Sequence, residues 1–217
     1  MSRKVAAYIS SKVDEACSHI INKKNNIKLF NKILKRVWKN NDSRVFFIPK
    51  EYSCYSNIKV KFTNNNSSSF DGRVITISIS KIINSKSTEE LKTAFIIVKS
   101  IIYHEVEHFL HSGSRVGPGK DKLASFSKYL SNKGEIRAHA RMFSVLYGEI
   151  FSGQKFDINK LISIGRDMKI PSILYYFEVF SMNKFIKRYP FVKGVKKKIS
   201  VLTAQFTKEY ENHKGIL

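Results

Sequence analysis

The sequence predicts an α+β protein, mostly helical, with a small antiparallel sheet packed beside a helix that carries the spacing H-E-x-x-H. Three observations lead to that class. Apolar residues recur at helical spacing through the first forty residues and again through most of the second half. Two short segments, "SNIKVKFT" and "RVITISIS", alternate apolar and polar residues instead, as half-buried strands do. Between these regions, "IIYHEVEHFLHSG" (residues 101–113) sets two histidines one helical turn apart. At 217 residues and 42% hydrophobic, the chain is long enough for one well-filled core.

Taken in order, Val5, Ile9, Val13 and Ala16 mark a first helical face, continued by Ile27, Phe30, Ile33, Leu34 and Val37. "KNNDSR" interrupts it, and "VFFIP" is a short strand stopped by Pro49. In "SNIKVKFT", Ile58, Val60 and Phe62 face one way and Lys59 and Lys61 the other. After the polar turn region "NNNSSSFDG", Ile75, Ile77 and Ile79 share a face, so the two strands are expected to form an antiparallel hairpin. Ser87 with Glu90 fits a capping box, and nothing breaks the helix from there to about Leu110, where Gly113 offers a stop. "KGEIRAHARMFSVLYGEIF" is a second strong helix, from Glu135 to about Phe151, closed by Gly153. Three more helices follow in "FDINKLISIGRDM", "PSILYYFEVFSMNKFIKRY" and "VKKKISVLTAQFTKEYENH", with Pro171 suited to a first turn. The expected organisation is one domain over residues 1–156 and a helical extension, 157–217, packed on the same core.

Composition narrows the setting. No apolar run is long and uncharged enough to cross a bilayer, and the N-terminal segment has no uninterrupted apolar stretch of the secretory type. Two cysteines, Cys17 and Cys54, make no disulfide framework, so a reducing cytoplasm is the expected compartment. The formal charge is +22, from 39 Lys and Arg against 17 Asp and Glu. Such a balance attracts nucleic acid or another polyanion. Richness in Lys, Asn and Ile together is also what an AT-rich genome produces, and with this basicity it suits a phage-encoded protein of the host cytoplasm or virion. The basic loop "GSRVGPGKDK" is not a phosphate-binding loop: Ser114 stands where its first glycine belongs, and Asp121 where Ser or Thr is required.

The opening stretch carries the chemistry. His104 and His108 project from nearly the same helix face and can ligate one ion from a single rigid element; neutral imidazole suits Zn2+. Glu105, offset by one residue, is placed to act as general base. Such a motif arises by chance in on the order of one chain in a hundred of this length, so its setting must carry weight. The plainer reading pairs the two histidines with Glu105 and Glu107. A catalytic zinc needs a third protein ligand. His111 would splay away from tetrahedral geometry, and no histidine follows at 114. Glu135, opening a later helix, is the better third ligand, with Ala138 small enough for close helix packing. His139 shares its face, either as a support for a ligand or as a replacement for Glu135.

The order of hairpin, H-E-x-x-H helix, loop and Glu-bearing helix resembles the gluzincin zinc peptidases, which include thermolysin-like enzymes, minigluzincins and ImmA/IrrE-like proteins. The resemblance covers roughly residues 70–152 and rests on His104, Glu105, His108, Glu135 and Ala138. It implies a zincin-like fold and a zinc-dependent metallopeptidase, with His104, His108 and Glu135 as ligands and Glu105 as base. The sequence departs from thermolysin-like enzymes in having His139 where they carry Asp. It departs from ImmA-like proteins in having Arg137 where they often carry an acid. In related folds the substrate pairs with an edge strand, a role "RVITISIS" would fill. His111, His139, Tyr129, Tyr147, Tyr175 and Tyr176 are the candidates for stabilising an oxyanion. The expected partner is a peptide or protein substrate, with no membrane. The contrasting reading is a basic nucleic-acid-binding or virion-associated protein with a structural or vestigial zinc site, supported by "KGVKKKIS" and "RYPF".

Overall fold

A computed structural model describes residues 2–20, 27–39, 45–52, 58–111 and 122–211. It divides the chain into two compact units, Met1–Leu110 and His111–Leu217.

The first unit joins helices to a sheet. Helices α1 (Ser2–Ser18) and α2 (Ile27–Val37) bury the periodic positions Val5, Ile9, Val13, Ala16, Phe30, Ile33, Leu34 and Val37. Strand β1 (Val45–Phe47) is antiparallel to β2 (Lys59–Thr63), and Trp38 donates its indole N–H to the Phe47 carbonyl at 3.0 Å. Phe46, Phe62 and Trp38 meet at ring distances of 5.0–6.3 Å, which ties α2 to the sheet. Strand β3 (Ser69–Phe70) pairs antiparallel with β4 (Val74–Ser78). A short helix, α3 (Ser80–Asn84), leads to the long helix α4 (Thr88–Leu110), which packs against α1, α3, β3 and β4.

The strand faces are as the alternation predicts: Ile58, Val60, Phe62, Ile75, Ile77 and Ile79 are buried. Their pairing is not. β2 and β4 run parallel, with Val60 opposite Ile75 and Phe62 opposite Ile77, in a mixed sheet of order β1-β2-β4-β3. The expected antiparallel hairpin between them is corrected by β3. The chain runs back along β3 and then reverses at Asp71–Arg73, where the Asp71 carboxylate accepts from the Arg73 and Val74 N–H groups at 2.8 Å and Gly72 takes a φ of +93°. That reversal sends β4 in the direction of β2. It also makes "RVITISIS" an inner strand, not the edge expected to receive a substrate.

The capping of α4 is close to expectation. Ser87 Oγ accepts from the Glu90 N–H at 3.1 Å, and the Glu90 carboxylate reaches back to the N–H of Lys86, one residue before the usual partner. Gly113, the expected stop, and Cys54 lie outside the described residues. Cys17 is buried and its thiol is a free one, held well above its usual range by burial first and by nearby Asp14 second.

The second unit is helical: α5 (Lys122–Leu130), α6 (Lys133–Ile150), α7 (Ile158–Asp167), α8 (Pro171–Phe177), α9 (Asn183–Arg188) and α10 (Val195–Glu211). Helix α6 is its centre, buried from Ala138 through Gly148 and packed along α10. The helices after residue 156 pack within this unit, with α10 along α6 and α7 against α8. Helix α5 was not anticipated. The single helix expected from Pro171 to Tyr189 is broken by a 3-10 turn at Val179–Ser181, which lets Phe180 stack on Phe185 at 5.5 Å while lying 5.6 Å from the Tyr176 ring. Among the described residues, no helix is long and apolar enough to cross a membrane.

Two measurements check this fold. A Cβ at Gly165 of α7 would come within 2.8 Å of Ile173 on α8. Gly165→Ala should therefore destabilise by about 1–3 kcal/mol in urea titration, whereas an unobstructed helical glycine would gain about 0.5–1 kcal/mol from the same change. An unfolded Cys17 thiol ionises near 9.0 and the folded one only above that value, so the unfolded chain sheds the proton first. Stability should fall as pH rises past 9.0, and Cys17→Ala should flatten that fall.

Candidate metal centre

Burial of one side of α4 orients the chemistry on the other rows of the helix. Leu91, Ala94, Val98, Ile102 and Val106 join the core of the first unit, which fixes the rotation of the helix. His104, Glu105 and Glu107 are then also buried, and His108 is half-buried. The imidazoles of His104 and His108 approach edge to face, ring centres 4.7 Å apart, with their Nε2 atoms 3.0 Å from one another. Two nitrogens bound to one tetrahedral Zn2+ at 2.0–2.1 Å sit about 3.3 Å apart. The observed separation is close to that value without any rotamer change. Two imidazole nitrogens at this spacing, which also suits a hydrogen bond between the rings, can serve as two donors to Zn2+.

In the second unit, Asn132 caps α6 by accepting from the Gly134 N–H at 2.8 Å, which starts the helix two residues earlier than the sequence suggests. Glu135 falls in the first turn, as its only acid, and His139 stands one turn on. The Nδ1 atom of His139 lies 2.9 Å from the Glu135 carbonyl oxygen and 3.7 Å from its carboxylate. A carbonyl only accepts, so Nδ1 carries the proton and, in the neutral ring, Nε2 keeps its lone pair. Metal-binding histidines are commonly fixed in this way, by a hydrogen bond from the other ring nitrogen to a carbonyl. Ala138 is fully buried beside it.

The remaining candidates separate by their hydrogen bonds. Tyr147 donates its hydroxyl to the Lys155 carbonyl at 2.7 Å and accepts from the Asp157 N–H, so it braces the turn after α6. Tyr176 donates to the Leu130 carbonyl at 2.6 Å, tying α8 to the end of α5; its ring lies 5.3 Å from that of His139. Burial, then the nearby Glu135 carboxylate, then Tyr129 hold the Tyr176 phenol well above the usual tyrosine range. Both hydroxyls donate to backbone carbonyls in this structure. His111 is exposed just beyond the end of α4. The packing of Tyr176 against His139 has no sequence signal, since 37 residues separate them and no shared periodicity links them.

Comparison with family models, curated proteins and solved structures returned no match.

The tautomer is directly measurable. Long-range 1H–15N spectra should show the His139 proton on Nδ1; a neutral ring protonated on Nε2 contradicts the bond to the Glu135 carbonyl.

Proposed function

We propose that this chain is a zinc-dependent peptidase of gluzincin type, in which His104, His108 and Glu135 hold the metal and Glu105 is the general base. The observation that carries the reading is the convergence of the His104 and His108 Nε2 atoms, 3.0 Å apart on one buried helix that also bears Glu105. A bound zinc ion supplies Lewis acidity, which polarises a peptide carbonyl and makes an attacking water easier to deprotonate. Glu105 takes the proton of that water and returns it to the nitrogen of the departing amine, so the base ends each turnover ionised again. Burial keeps bulk water from the carboxylate and strengthens its interaction with the transferring proton. His139, its tautomer set by the Glu135 carbonyl, supports Glu135 and offers Nε2 as the alternative donor.

Metal content and cleavage test the assignment separately. The purified protein should carry close to one zinc per chain by elemental analysis, and His104→Ala, His108→Ala and Glu135→Ala should each lose most of it. Glu105→Gln should keep the metal while cleavage of an unfolded protein substrate drops by about 100-fold or more. Retained cleavage in Glu105→Gln removes the base assignment. Loss of zinc in His139→Ala but not in Glu135→Ala transfers the third ligand to His139.

A further inference from the structure

From Val179 to Lys208 the chain contains no Asp or Glu and eight Lys or Arg, seven of them within residues 184–198. This stretch builds α9, the 3-10 turn Pro190–Val192 and the first turn of α10. Lys184, Lys187, Lys193, Lys197 and Lys198 are exposed, and Lys196 is half-exposed. Among the described residues, none of these six lysines forms an ion pair. Arg188 is exposed as well, its guanidinium 5.3 Å from the centre of the Tyr189 ring.

Fold stability does not account for the cluster. Lys196, Lys197 and Lys198 stand in the first turn of α10, where the backbone dipole is already positive and cations are disfavoured, and that turn has no acid to offset them. The average basicity of the chain does not account for it either. Elsewhere acids are interspersed: 17 of them occur in the 187 residues outside this thirty-residue span.

The surroundings favour a phosphate backbone over a lipid surface. Membrane-binding basic helices carry an apolar face free to enter the bilayer. In α9 and α10 the apolar positions Phe185, Val195 and Ile199 are buried in their own unit. Among the described residues, the exposed large apolar ones of this stretch are Met182 and Val201. What remains outward is a field of one sign, which recognises charge spacing and not base sequence.

We propose that residues 184–198 form a sequence-independent binding surface for the phosphate backbone of nucleic acid. The surface is independent of the metal-centre reading, because it uses neither α4 nor the first turn of α6. Each phosphate neutralised on duplex DNA releases counterions and contributes about 0.9 to the slope of log affinity against log salt. Binding of the full-length protein to a short mixed-sequence DNA duplex should weaken steeply with salt. The triple variant K196Q/K197Q/K198Q should reduce the slope by about 2 to 3 units, with zinc content and circular dichroism unchanged. A charge-matched variant at exposed positions of the first unit, K61Q/K81Q/K86Q, should leave the slope nearly intact. Equal losses in the two variants would assign binding to net charge and overturn the surface. No duplex binding by the unmodified protein, or binding confined to vesicles rich in phosphatidylserine, would overturn it as well.

Discussion

The rotation of α4 about its own axis is the constraint from which the rest follows. A helix advances 100° per residue, so a shift by one position would carry His104 and His108 to another side of the helix. Two features prevent it. The Ser87–Glu90 cap fixes where the helix begins, and the row Leu91, Ala94, Val98, Ile102 and Val106 locks it against the sheet and α1. The imidazoles are thus placed by core packing formed several turns away. A mutation in that row would shift the two imidazoles through geometry while touching neither of them.

Side-chain faces were legible in the sequence because burial imposes a period, and a period survives in a single chain. Val60, Phe62, Ile75 and Ile77 illustrate it. Strand direction leaves no such imprint: a parallel and an antiparallel partner demand the same alternation. Only the connection distinguishes them, and here the sign was the Asp71–Gly72 pair, which places the sharp reversal next to β4 and leaves room for β3 before it. The break between α8 and α9 is less visible still. No Gly or Pro lies between Leu174 and Tyr189, and what ends the helix is the packing of Phe180 among Tyr176 and Phe185, a tertiary demand. The candidate donors stand out in the sequence for the opposite reason, since coordination chemistry restricts both residue type and spacing.

The distribution of acids joins the two halves of the chemistry. A chain with 17 carboxylates against 39 cationic side chains nevertheless buries Glu105 and Glu107 within one helical turn. These two acids lie between His104 and His108 in the chain, beside the candidate donors. The span from Val179 to Lys208 is the converse, a stretch of chain that contains no acid.

These two chemistries respond to different variables. Coordination by imidazole and carboxylate is short-ranged and depends on the protonation of the donors, so it weakens with acid and changes little with added monovalent salt. Attraction between lysines and a phosphate backbone is long-ranged and screened over about 8 Å at physiological ionic strength, so it collapses with salt at constant pH. A protein bearing both would hold its metal across the salt range in which it leaves its polyanion. Localisation on a nucleic acid and peptide hydrolysis would then be separable in one molecule by ionic strength alone, because the field that concentrates the protein on its partner plays no part in binding the ion.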